Sequence, residues 1–182
     1  MCKAMGRPLL FKTNLGAYGE KRPTKFAFLL RPTLDEYNAF VLQLDKLLSD
    51  NMSPKFFSED MALEEEVRRD DGKIEVRRKG TIQLLDEWIR SQFKTSNDGF
   101  WTEWNDAMSH VKAIRKERQK PAHVIENDKF DYELIPRQRE LIKNAYMAVR
   151  LLRMALENHP AVRTDENIEV PDALRMGKIW IQ

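Results

Sequence analysis

Residues Tyr132 to Asn158 set the tightest limit on what this chain can become, because their apolar side chains occupy two adjacent helical stripes instead of one. Leu141, Ala145, Val149, Leu152 and Leu156 recur at steps of three and four, the spacing of a single helix face. Met147, Leu151 and Met154 make a neighbouring stripe. A surface helix needs only the first. The wider face must either fill a bundle interior or meet another chain, and the adaptable methionine side chain suits both. His159-Pro160 closes the segment, with the histidine placed to act as a cation on the last carbonyls.

Three further helices are expected upstream. Thr33 with Glu36 three residues later reads as a capping box, followed by an apolar face of Leu34, Tyr37, Val41, Leu44 and Leu48. Thr81 opens a second, with Ile82, Leu85, Trp88, Ile89 and Phe93 inward, ended by the Ser96-Asn97-Asp98-Gly99 loop. Phe100 to Arg118 is the third. Between the first two, Leu63–Arg69 and Lys73–Lys79 flank Asp70-Asp71-Gly72, a hairpin signal in very polar strands; a helix starting at Glu64-Glu65-Glu66 competes with it. Residues 8–13 and 24–30 read as short strands of an N-terminal hairpin, and the tail from Ala161 carries edge-strand candidates at Ile168–Val170 and Lys178–Ile181.

Long helices joined by short loops imply a mainly α fold: an antiparallel four- to five-helix bundle with a small β appendage. The expected organisation is a single domain over 1–182, with β hairpins in 1–31 and 61–80 and a C-terminal extension over 161–182. At 182 residues, 42% of them apolar and 33% charged, the chain can bury one core under a heavily charged surface. Cys2 is the only cysteine, which excludes an intrachain disulfide and points to the reducing cytoplasm. Apolar runs such as Phe26–Leu30 are too short to span a bilayer, and no secretory signal opens the sequence.

Net charge is only +2, but basic residues cluster. Arg68, Arg69, Arg77, Arg78 and Lys79 form one group, and residues 112–120 hold five Lys or Arg against one Glu. Reading along the third helix, Trp104, Met108, Val111 and Ile114 share a face, and Arg118 comes next at that step. A guanidinium thus continues an apolar stripe. Pro121 then disfavours helix at Lys120, so His123 follows a break and the two side chains can converge on one cleft. Histidine moves protons near neutral pH and arginine's planar fork suits phosphoryl oxygens.

The Arg-x-x-x-x-His spacing of Arg118 to His123, within "IRKERQKPAH" and before the "YMAVRLLRMALENHP" helix, resembles the HEPN superfamily of helical ribonuclease-like domains found in toxin–antitoxin and phage-defence systems. The likeness covers roughly residues 80–160. It implies a metal-independent endoribonuclease cutting single-stranded RNA through 2′-OH attack, without cofactor. Arg118 would clamp phosphate and His123 transfer protons, with Arg115, Lys116 and Lys120 guiding the RNA and Gln119 holding geometry. The family often places Asn, Asp or His directly after the arginine; Gln119 still offers an amide donor and acceptor. The resemblance also implies a homodimer with two motifs at one interface, for which Met147, Leu151 and Met154 are the candidate contact, and an antitoxin or other protein partner. Arg118 and His123 are expected at a cleft outside the core, so that alanine at either would spare folding.

A non-catalytic HEPN-like module that binds a protein partner or nucleotide is the alternative, and a plain helical interaction subunit is a further one. No His-Glu-x-x-His pattern or Gly-rich loop at a helix start supports metal or nucleotide chemistry.

Overall fold

A computed structural model describes residues 1–13, 29, 31–94, 98–119, 128–164, 172 and 176. It is a helical bundle carrying a two-stranded β arm. In chain order come α1 (Leu34–Asp45), a π turn (Lys46–Asp50), a 3-10 turn (Pro54–Phe56), β1 (Glu64–Arg68), β2 (Ile74–Arg78), α2 (Thr81–Gln92), α3 (Asp98–Gln119), α4 (Leu134–Glu157) and the short α5 (Pro160–Arg163).

Each helix forms where its periodicity places it. Thr33 caps α1 by accepting from the Glu36 amide at 3.3 Å, but the Glu36 carboxylate turns outward to the amide and guanidinium of Arg31. α3 starts at Asp98, two residues earlier than expected. α4 ends at Glu157, and α5 was not anticipated: His159 is its N-cap and Pro160 sits in its first turn, where a missing amide proton costs nothing. The His159 imidazole therefore accepts a hydrogen bond, from the Ala161 amide at 3.3 Å, and does not serve as a cation on the carbonyls of α4.

α3 and α4 are the main helix pair of the bundle, and α3 also packs along α1. One apolar cluster gathers Trp88, Phe56, Phe57, Trp104, Met108 and Leu152 around α2, α3 and α4; Phe56 stands edge-on to Trp88 with ring centres 4.9 Å apart. A second holds Tyr37, Phe40, Val41 and Leu44 of α1 with Ile114 of α3 and Leu134 and Ala145 of α4. Burying such large side chains contributes about 1.5–3 kcal/mol each.

β1 and β2 pair antiparallel from Glu64↔Arg78 to Arg68↔Ile74. The turn needs Gly72 at φ +80°, a conformation that side chains with a Cβ rarely adopt, and the Asp71 carboxylate accepts from the Lys73 amide. The competing helix at Glu64 does not form. At the N-terminus, Phe11 makes a single bridge to Met52, so the 8–13 segment lies against the turn after α1. Its expected partner over 24–28, and the tail strands at 168–170 and 178–181, fall outside the described residues. Among the described residues no helix is long and apolar enough to cross a membrane.

Candidate functional site at the end of helix α3

Arg118 lies one residue from the end of α3. The stripe that leads to it is buried, with Trp104, Met108, Val111 and Ile114 all in the core. Arg118 itself is received by carboxylates. Its Nη1 donates to Asp45 Oδ2 at 2.5 Å and to Asp50 Oδ2 at 3.3 Å. The Asp45 side chain is 1% exposed and that of Arg118 32%, so the pair straddles the boundary between core and solvent.

Asp45 is held from its other side. Ser49 Oγ donates to Asp45 Oδ1 at 2.7 Å and lies 2.8 Å from the Asp45 carbonyl. Thr81 Oγ1, at the start of α2, donates to the Ser49 carbonyl at 2.8 Å. The π turn is the local device. By widening the helix after Asp45 it brings both Asp45 and Asp50 to one guanidinium. The hydrogen bond from Arg118 to Asp45 is the main cause that raises the arginine's pKa above its ordinary value, against burial, which lowers it.

The carboxylate pair was not anticipated, yet a signal for it exists in the sequence. Asp45 falls four residues after Val41 and eight after Tyr37, within the apolar face of α1, just as Arg118 falls within that of α3. Two opposite charges, each interrupting an apolar stripe, are candidates for each other. This geometry corrects one expectation: Arg118 has a structural duty, and alanine at this position leaves a buried carboxylate unpaired.

Of the residues expected to support RNA binding, Arg115 is half-buried while Lys116 and Gln119 are exposed on the last turn of α3. Neighbouring Glu117 ion-pairs with Arg137 of α4 at 3.4 Å. Lys120 and His123 lie outside the described residues. The structure therefore gives the arginine of the candidate pair a geometry and says nothing of the histidine.

The second stripe of α4 divides. Leu151 is buried in the larger core cluster, whereas Met147 and Met154 are exposed. The two methionines line a groove of about 530 Å³ between α3 and α4 that also presents Glu103, Asp106, His110 and Arg150. The Nε of Arg150 is buried there without a hydrogen-bond partner. Among the described residues no group of three or more His, Cys, Asp or Glu side chains is placed to hold a metal ion.

A separate polar cluster ties the N-terminus to the end of α4. Asp60 Oδ2 accepts from Arg7 Nη2 and from Trp88 Nε1, both at 2.6 Å, and the Arg7 guanidinium lies 5.4 Å from the centre of the Trp88 ring. The hydrogen bond from Arg7 holds the Asp60 carboxyl below the usual range. Burial, helped by the Arg7 charge, holds the nearby His159 below its ordinary pKa, in keeping with the imidazole's role as an acceptor.

No family model, curated protein or solved structure matches this chain. Its functional reading accordingly stands on the residues themselves.

Proposed function

We propose that this chain is a metal-independent endoribonuclease of the HEPN type, a toxin or phage-defence effector of the cytoplasm that cuts single-stranded RNA. The observation that supports the reading is the fixing of Arg118. A cation that stabilises a phosphoryl transition state acts best when its position is set in advance. Asp45 and Asp50 hold Arg118 through Nη1 alone, and among the described residues Nε and Nη2 have no hydrogen-bond partner at the partly exposed helix end. Those N–H groups are available to a phosphate.

In the reaction, the ribose 2′-oxygen attacks the adjacent phosphorus, the bond to the 5′-oxygen breaks, and a 2′,3′-cyclic phosphate and a 5′-hydroxyl result. His123 takes the proton from the 2′-hydroxyl or returns one to the leaving oxygen, and Arg118 balances charge on the phosphoryl oxygens. Arg115, Lys116 and Lys120 attract the RNA backbone. Two copies acting together and an antitoxin or other protein partner belong to the same reading.

The test is cleavage of a single-stranded RNA in the presence of EDTA. We expect a cyclic-phosphate product and an inert deoxy substrate. His123→Ala should slow the reaction by about 10²–10⁴-fold. Arg118→Lys keeps a positive charge for Asp45 but loses the planar fork, and should lose activity while remaining folded. Equal cleavage of DNA, or activity abolished by the chelator, would overturn the mechanism.

The same ion pair favours a second reading. Two carboxylates on one guanidinium neutralise the charge a phosphate would seek, as suits a non-catalytic HEPN-like module that binds a protein partner or nucleotide. A folded parent protein that leaves RNA intact in every buffer would decide for the module.

A further inference from the structure

The β arm carries an unused edge whose side chains are complementary to themselves. Leu63 and Lys79 close the base of the arm through the Lys79 amide and the Leu63 carbonyl at 2.9 Å, and the Arg69 amide donates to the Lys73 carbonyl at 2.9 Å near its tip. In an antiparallel ladder hydrogen-bonded pairs alternate with non-hydrogen-bonded ones. The odd-numbered pairs, Glu65↔Arg77 and Val67↔Glu75, therefore spend their backbone groups inside the arm. Ile74, Val76 and Arg78 direct theirs outward. All five residues of β2 are exposed, Ile74 at 65% and Val76 at 61%, and among the described residues no other strand pairs with β2.

We propose that β2 pairs antiparallel with β2 of a second copy of this chain, about a two-fold axis through Val76, joining the two arms into one four-stranded sheet. In that register Val76 meets Val76 and Ile74 meets Arg78 as hydrogen-bonded pairs, so the outward backbone groups are those that bond. Glu75 meets Arg77 on either side of the axis in non-hydrogen-bonded pairs, where side chains lie closest. Faces agree as well: Ile74, Val76 and Arg78 stay on one side of the sheet, Glu75 and Arg77 on the other.

Neighbouring registers fail on charge. A shift by one pair in either direction sets Glu75 against Glu75 or Arg77 against Arg77. A further slip toward the tip runs the incoming strand into the turn at Gly72, where the backbone is no longer extended. The opposite edge of the arm is excluded in the same way, since pairing β1 about its centre sets Glu66 against Glu66 with acidic neighbours around it. Charges on an exposed edge ordinarily prevent pairing. Here their order permits one partner and one register. No residue of this edge is among those assigned to RNA, so the dimer and the ribonuclease stand or fall separately.

An interface this small forms a weak, concentration-dependent dimer. Sedimentation equilibrium up to a few hundred micromolar should show it for the parent chain. Glu75→Arg and Arg77→Glu should each weaken association on the order of tenfold or more, by replacing two attractive contacts with two repulsive ones. An equimolar mixture of the two variants should regain the parent's affinity. In the mixed dimer the arginine introduced in one chain faces the glutamate introduced in the other, and the retained Arg77 of the first faces the retained Glu75 of the second. A monomeric parent would overturn the proposal and leave the charges as guards against aggregation. Variants that dimerise like the parent would overturn it too, as would a mixture no tighter than its components. RNA cleavage is read separately on the same samples, so loss of one property does not stand in for loss of the other.

Discussion

Removing the Arg118 side chain leaves the carboxylate of Asp45 almost fully buried, with only the Ser49 hydroxyl as a side-chain partner among the described residues. Breaking a buried ion pair from one side costs about 3–5 kcal/mol. Arg118 is itself about a third exposed, so solvent reduces the cost for Arg118→Ala to about 1–3 kcal/mol. Urea unfolding should show that loss, and the double variant Arg118→Met/Asp45→Asn should recover much of it by leaving no charge unpaired. A single variant as stable as the parent would mean that the Asp45 carboxylate takes up a proton or finds water. Activity lost in Arg118→Ala is thus ambiguous by itself, which gives Arg118→Lys its value. The stripe-breaking position of Arg118 was legible in the sequence, but its partner was not singled out. Asp45 stands 73 residues away on a helix whose packing angle no local pattern states.

At the scale of elements, the legible parts are those whose side chains repeat. The apolar faces of α1, α2, α3 and α4 recur at helical spacing, and the Asp-Asp-Gly turn between alternating strands announces the arm. Less legible were elements made by one or two residues: the π turn, which an apolar count reads as more α-helix, and α5, where His159-Pro160 ends one helix and begins another. The double stripe of α4 was legible as an excess of apolar surface but not as a division of labour, in which Leu151 faces the core and Met147 and Met154 do not. The arm itself contributes few buried groups; its strand residues are exposed or half-buried, and its base is already closed by the contact between Lys79 and Leu63. Replacing 64–78 with a short Gly-Ser linker should therefore leave the melting temperature within a few degrees of the parent, as surface changes away from the core generally do. A large drop in a calorimetric scan would show that the arm braces the bundle.

Across the whole molecule, the cluster of Arg7, Asp60, Trp88 and His159 joins the first residues of the chain to the end of α4. Its ionisations give folding a pH dependence whose sign follows from the direction of each shift. His159 has its pKa lowered by folding, so the unfolded chain binds a proton that the folded one resists. Its contribution is full above the ordinary histidine value near ~6.5 and is lost as pH falls through the folded value. Asp60, also lowered, adds a second loss below the usual carboxylate range, as the bond from Arg7 is given up. Unfolding free energy measured from pH 8 down to pH 4 should accordingly decline in the acid half of the range, and His159→Gln, an uncharged side chain that keeps an acceptor, should flatten the first part of the decline. A parent whose stability is level across that interval would contradict the assignment.

The π turn also bears on how this chain tolerates change in length. A π turn is an α-helix with one residue added, and in an α-helix each residue turns the chain by about 100°. Deleting a single residue from Lys46 to Asp50 would let the segment relax into regular α-helix and rotate everything that follows by that angle. Met52, Phe56 and Phe57, all buried beneath α2, would swing off the core, and Asp50 would leave Arg118. This stretch is therefore where the reading frame of the fold is kept: substitutions on its outer face are absorbed, but a lost residue is not.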